Sequence, residues 1–131
     1  MNHLHRIACA AVAGLVAAVS ASGCVAVAAG AVAGAGVYAF HAGKLNATLD
    51  APMDRSYEAT RAALQDLELV EVAAVKDAFD AKVTARTADA KDVTIRLEKV
   101  GDSATDISIR IGTFGDEHKS TAILAEIRER L

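Results

Sequence analysis

Apolar and polar residues alternate in five short segments after residue 40 of this 131-residue chain. Each segment has one apolar and one polar side, and the turn-forming stretches ADAK and GDSA separate the last three. A period of two residues bounded by turn signals is typical of half-buried β-strands. We therefore predict five strands, which read KLNATLD, VEVAAVK, FDAKVTART, DVTIRLEKV and TDISIRI. In the third strand, Phe79 is predicted to lie on the apolar side.

Two further segments repeat their apolar residues with the helical period. APMDRSYEATRAALQDLEL contains Pro52, which suits a first helical turn, and DEHKSTAILAEIRERL begins with Asp116, a residue type that caps helices. The predicted element order is β-α-β-β-β-β-α. A sheet with one apolar face must bury that face under other elements. We therefore predict an α+β fold, a two-layer sandwich in which both helices cover one face of a mainly antiparallel sheet.

The charged residues on the polar side of the strands give a prediction of strand register. Opposite charges that face each other across two strands are favoured over like charges by about 0.2–1 kcal/mol per pair. Registers two residues away keep the apolar sides together but place Lys82 opposite Arg96, and Glu98 opposite Asp106. On charge alone we predict the pairs Lys82–Glu98, Arg96–Asp106 and Asp92–Arg110.

The first 23 residues are predicted to be a secretory signal peptide. Arg6 supplies a positive amino-terminal region, and IACAAVAGLVAAV is an apolar run of the expected length, too short for a committed membrane span. Three small residues, Ala21, Ser22 and Gly23, directly precede Cys24. This stretch resembles the lipobox of bacterial lipoproteins. The resemblance implies cleavage before Cys24 and acyl chains on that residue. With Val25 following, it implies an outer-membrane anchor facing the periplasm.

Residues 24–40 follow as a membrane-proximal segment rich in glycine and alanine, and residues 41–131 are predicted to form a periplasmic domain. Gly30 and Gly34 stand four residues apart, a spacing that permits close packing of helices. Tyr38 and Phe40 would suit the level of the lipid headgroups. Three interpretations of the segment stay open: it dips into the leaflet, it pairs with copies of itself, or it is a tether on the membrane.

Candidate catalytic and metal-binding residues are few. The segment IGTFGDEHKS holds His118 and Ser120, but residues two apart on a helix point in different directions. The structural interpretation is a strand exit in which glycines form the bend, Phe114 enters the core and Asp116 caps the helix. After cleavage and lipidation only His41 and His118 and no free thiol would remain, so we expect neither a metal nor another cofactor.

The charge distribution excludes one class of partner and leaves another open. The net charge is −3, so no basic field favours nucleic acid. Arg86, Arg96 and Arg110 are predicted to lie on the open side of the sheet, where they would suit an anion. Carboxylates interleave with these arginines, which favours a solvated face of mixed charge.

The combined pattern resembles a known family. The lipobox, the Gly/Ala run, VYAFHAGKLNATLDAPMDRSYEATRAAL and IRIGTFGDE are similar to those of small proteobacterial lipoproteins known only as a domain of unknown function. The likeness covers nearly all of residues 24–131. It implies a location and a fold, and it implies no activity and no catalytic residue.

We therefore expect a non-enzymatic lipoprotein, anchored in the outer membrane through the acyl chains on Cys24, that binds an envelope protein or itself. The alternative is a membrane-associated oligomer packed through Gly30 and Gly34. A third hypothesis is an enzyme or small-ligand binder that uses the arginine-bearing open face.

Overall fold

The alternating segments fold into one antiparallel sheet. A computed structural model describes residues 37–131 of the chain. Its elements are β1 (Ala39–His41), β2 (Lys44–Leu49), α1 (Met53–Asp66), β3 (Val70–Lys76), β4 (Asp80–Arg86), β5 (Asp92–Lys99), β6 (Thr105–Ile111) and α2 (Glu117–Glu129). The six strands are arranged β1-β2-β6-β5-β4-β3, and all neighbours are antiparallel. The predicted α+β class and the packing of both helices against the sheet are confirmed.

The structure has one more strand than predicted, β1, which comes before the predicted elements and makes the order β-β-α-β-β-β-β-α. β1 and β2 are joined by Ala42 and Gly43, whose φ angles of 50° and 77° suit a two-residue hairpin turn. Tyr38 is only 6% exposed, and Phe40 packs against the core. The expectation that Tyr38 lies among lipid headgroups is therefore wrong, because the fold buries its ring, whereas Phe40 is only partly buried and its expectation stays a prediction.

The core lies between one face of the sheet, here called the covered face, and the two helices. Inward-facing residues of β2, β4, β5 and β6 meet apolar residues of α1 and α2. The largest fully buried side chains are Leu45, Leu49, Leu64, Val83, Val93, Ile95, Leu97, Ile107, Ile109, Ile111, Leu124 and Ile127.

Neither helix among residues 37–131 is long and apolar enough to cross a membrane. On the other face of the sheet, here called the open face, no helix of residues 37–131 packs.

The β4–β5 and β5–β6 hairpins both lie two residues away from the predicted register. The predicted pairs Lys82–Glu98, Arg96–Asp106 and Asp92–Arg110 are wrong. The observed pairs are Lys82–Arg96, Glu98–Asp106, Arg96–Ser108, Thr94–Arg110 and Arg86–Asp92. Like charges therefore face each other on neighbouring strands, where the charge argument favours opposite ones.

Turn geometry and core packing explain this register. The β4–β5 loop closes with the Thr87 N–H donating to the Lys91 carbonyl at 2.9 Å. The same register aligns Val83, Ile95 and Ile109 across three strands of the covered face. The predicted register would also keep the apolar sides together, so apolar burial alone does not choose between the two registers. The closed turn selects the observed register. The packed covered face tolerates the like charges, because burial of one large apolar side chain contributes about 1.5–3 kcal/mol and a cross-strand charge pair about 0.2–1 kcal/mol.

Two aromatic residues predicted to be apolar-side or core residues are exposed instead. Phe79 is 67% exposed because β4 begins at Asp80, and Asp77 holds the preceding turn by accepting the backbone N–H groups of both residues at 2.8 Å. Phe114 is 91% exposed because it lies between Gly112 and Gly115, in a turn where both glycines have positive φ.

Candidate binding face

The residues predicted to carry lipidation and helix packing lie outside the described residues. These are Cys24, the three small residues Ala21, Ser22 and Gly23, and the glycine pair Gly30 and Gly34. Lipidation of Cys24 and packing through the glycines therefore stay predictions.

The segment between β6 and α2 has the capping role that the sequence predicts. The Asp116 carboxylate accepts the Lys119 N–H at 3.0 Å and so caps α2. His118 is exposed, and Ser120 is fully buried on the opposite side of the same helix turn. The structure therefore separates the His118 and Ser120 side chains and leaves the Asp116 carboxylate bound to a backbone amide.

The two glycines of the IGTFGDE segment have a packing role. A Cβ atom on Gly115 would lie 2.5 Å from the Cα atom of Gly43, and a Cβ atom on Gly43 would lie 2.9 Å from the carbonyl carbon of Phe114. Both glycines also have positive φ. The backbone of the β1–β2 turn therefore touches the backbone of the β6–α2 turn, and only glycine fits on either side.

The three arginines of the predicted anion patch do not act together. Arg86 binds Asp92 at 3.0 Å, and Arg110 donates to the carbonyl of Thr113 at 2.5 Å. Only Arg96 lies at the centre of the open face, opposite Lys82 and Ser108.

The open face contains a depression of about 700 Å³. Its lining comes from β2, β4, β5 and β6, with Val75 and Asp77 at the β3 end. The lining residues are Asn46, Ala47, Thr48, Val75, Asp77, Asp80, Ala81, Lys82, Arg96, Leu97, Glu98, Asp106, Ile107 and Ser108. This volume lies within the range of small-molecule and peptide pockets.

The charged residues of the depression form two rows that run across the strands. Asp80, Glu98 and Asp106 lie side by side on β4, β5 and β6 and are here called the acidic row. Lys82 and Arg96 lie side by side on β4 and β5 and are here called the basic row. Because the two rows are two residues apart on each strand, their backbones are separated by about 7 Å.

Neutral polar groups extend both rows onto β2. Thr48 lies opposite Asp106 and donates its hydroxyl to that carboxylate at 2.6 Å. Asn46 lies opposite Ser108, which is the neighbour of Arg96. At the other end of the depression, hydrogen bonds from the backbone N–H groups of Phe79 and Asp80 lower the pKa of Asp77, so this carboxylate stays charged.

The charges of the two rows are not neutralised within residues 37–131. No carboxylate of the acidic row lies within 4.0 Å of a basic side chain in that part of the chain, and neither Lys82 nor Arg96 has a carboxylate partner there. Charges at the edge of the covered face, in contrast, form ion pairs. Arg61 of α1 binds Glu71 of β3 at 2.9 Å, and Lys76 binds Asp54 at 2.6 Å.

Sequence reasoning identified Arg96 as a candidate binding residue and missed the two rows. The signal that would have found them is the combination of loop length and apolar alignment, since these set the register. Within residues 37–131, His, Cys, Asp and Glu side chains do not form a group of three or more that could hold a metal ion.

The comparisons with known proteins give a family and no activity. The sequence profile of a family described as "Protein of unknown function (DUF3568)" matches residues 6–130. No curated protein matches the chain.

Proposed function

The chain belongs to the DUF3568 family of proteins of unknown function, and from this premise we propose that it is a lipid-anchored envelope module without enzymatic activity that binds a charged ligand on its open face. The anchor is the acylated Cys24, and the location is the periplasmic side of the outer membrane. The supporting sequence features are the apolar run that ends at residue 19 and the three small residues before Cys24. Two or three acyl chains hold a protein to a membrane, whereas one chain holds it only marginally.

The observation that carries the binding function is the unpaired acidic row and basic row within one depression. Two like-charged carboxylate pairs and one like-charged cation pair face each other directly, and such pairs are destabilising. Local rules of stability are commonly broken at functional sites. A ligand of complementary charge would remove the repulsion in both rows.

A photo-crosslinking experiment in living cells tests this function. p-Benzoylphenylalanine replaces Val75, which lines the depression and is 69% exposed. As the matched control, the same group replaces Glu58, an exposed residue of α1 on the other layer. We expect an adduct of the full-length, acylated protein from position 75 that is absent from position 58.

A second variant makes the result specific to the charged rows. The adduct from position 75 should be lost when Arg96→Gln and Glu98→Gln are combined, because these changes remove charge from both rows without changing side-chain length greatly. Identical adducts from both positions, or an adduct that persists in the double variant, would contradict the proposal. A ladder of copies of the chain itself from both positions would favour self-association instead.

A further inference from the structure

We propose that the ligand of the open face is a zwitterionic peptide with an ammonium group and a carboxylate group about 7 Å apart, which lies across the acidic row and the basic row. This inference rests on the proposed function and names the ligand class that the same depression would take.

The position of the ammonium group follows from the acidic row. Glu98 lies directly opposite Asp80 on one side and Asp106 on the other. Residues directly opposite on antiparallel strands have Cβ atoms about 5 Å apart, so two neighbouring carboxylates can accept hydrogen bonds from one ammonium group. An ammonium group has three N–H donors and no acceptor, which matches a row of acceptors.

The position of the carboxylate group follows from the basic row. Lys82 and Arg96 lie directly opposite each other and both project into the depression. The guanidinium of Arg96 presents paired N–H donors that fit the two oxygens of a carboxylate. Neither cation has a carboxylate partner among residues 37–131, so both are available to such a group.

The separation of the rows sets the size of the ligand. Arg96 and Glu98 are two residues apart on β5, a distance of about 7 Å along the strand. Two extended residues of a peptide also span about 7 Å, so the free termini of a dipeptide reach both rows. The amide between the termini lies over β5, beside Ser108 of the neighbouring strand β6, which lines the depression and offers a neutral hydroxyl group.

The charge pattern excludes simpler ligands. A dianion or a dication would satisfy one row and would face like charges in the other row at about 7 Å. An apolar ligand would desolvate the five charges of the two rows without pairing them, which is costly. A zwitterion is the class that neutralises both rows at once.

The test is a titration of the full-length protein in detergent micelles, followed by amide NMR chemical shifts. The probe is alanyl-alanine with free termini, and the matched probes are its N-acetyl form and its C-terminal amide. We expect saturable shifts in the strand segments around Arg96 and Glu98 with the free dipeptide. Each blocked form should bind about tenfold more weakly, because it loses one charge-assisted contact.

Two exposed substitutions assign each contact. Arg96→Gln should weaken the preference for a free carboxyl terminus, for which Lys82 remains, and keep the preference for a free amino terminus. Glu98→Gln should do the reverse, because Asp80 and Asp106 remain for the amino terminus. Arg55→Gln, an exposed change on α1, is the control and should leave the affinity unchanged. Tetra-alanine separates the charges by up to about 14 Å and should bind more weakly than the dipeptide.

Equal affinity for the free and blocked dipeptides, or shifts that lie outside the open face, would overturn the ligand class. If no dipeptide shifts the open face but the position-75 adduct forms in cells and needs both charged rows, the ligand class is wrong and the binding function stands. If that adduct is absent as well, both proposals fail.

Discussion

The two faces of the sheet differ in how their side chains are paired. On the covered face, apolar residues of neighbouring strands lie opposite each other, and the charges at its edge are paired, as Arg61 with Glu71 and Lys76 with Asp54. On the open face, Asp80, Glu98 and Asp106 face one another without a basic partner in the described part of the chain. The apolar contacts of the covered face therefore stabilise the fold, whereas the open face keeps rows of like charges that repel each other.

The difference between the two faces is the observation on which the proposed binding function rests. A sequence specifies its structure best when local preferences agree with the overall fold, and disagreement is expected at functional sites. The acidic row is such a disagreement, because an opposite charge at position 98 or 106 would relieve it at once. By contrast, Glu71, a glutamate at the edge of the covered face, is paired with Arg61.

The largest effect is expected from a cavity in the covered face. Leu97→Ala should lower the free energy of unfolding by about 2–5 kcal/mol, because Leu97 is fully buried between strands and helices. Arg96→Ala, one residue away on the open face, should change it by less than about 0.5 kcal/mol. Urea unfolding measures both. Equal losses would show that the two faces do not differ as described.

The next effect concerns the contact between the two glycine turns. Gly43→Ala should destabilise the protein by about 1–3 kcal/mol, because φ is positive and the new methyl group would overlap the Phe114 carbonyl. Gly101→Ala is the control, since its nearest neighbour would be the Ala104 Cβ atom at an ordinary 3.7 Å. Thermal unfolding of the two variants should differ clearly, and similar melting temperatures would contradict the packing role.

Replacing glutamate by glutamine should change the melting temperature in opposite directions at Glu71 and at Glu98. Glu71→Gln should lower the melting temperature by about 3 °C, because a carboxylate that accepts two hydrogen bonds of about 3 Å from Arg61 is replaced by a neutral amide with one acceptor oxygen. The measurement is differential scanning calorimetry at low salt. An unchanged melting temperature would mean that the pairing at the covered edge is not stabilising.

Glu98→Gln should raise the melting temperature by about 2 °C. Glu98 faces Asp80 and Asp106 directly, and the change removes both repulsions. Added salt should reduce the difference from the wild type, because the repulsion is screened. A lower melting temperature for this variant would show that the acidic row is already compensated.

The smallest effect is a dependence on pH. The hydrogen bond from Lys76 lowers the pKa of Asp54 below its ordinary value of 3.8. A carboxylate with a lowered pKa stabilises the folded state above the unfolded pKa and loses that contribution as pH falls through the folded pKa. Between about pH 5 and pH 2, wild type should therefore lose more stability than Asp54→Asn. Parallel acid-unfolding curves for the two proteins would contradict this.

The parts of the fold that follow from periodicity were predictable from the sequence. The alternation in DVTIRLEKV and TDISIRI gives β5 and β6, and Asp116 gives the start of α2. β1 was missed because its three residues are too few to show a period, and burial of Tyr38 depends on distant parts of the chain. Phe114 was misplaced because an apolar residue within a glycine turn gives no sign of its direction.

The candidate site was predictable only in part. Arg96 was placed on the open face because its parity within the strand is fixed by Ile95 and Leu97. Which residues stand beside Arg96 depends on register, and register follows from hairpin loops and core alignment that charge patterns do not reveal. The two rows therefore emerge only when the strands are assembled.

The guanidinium of Arg128 binds the backbone just before β1, and this contact affects how the fold responds to a pulling force on the chain. It donates to the carbonyl of Val37 at 3.1 Å and to the carbonyl of Thr48 at 3.3 Å, so α2 binds both the backbone two residues before β1 and the end of β2. Any tension on the chain before residue 37 is shared between α2 and β2 and does not act on the three-residue β1 alone. A domain held at these two points resists peeling of β1 from the sheet.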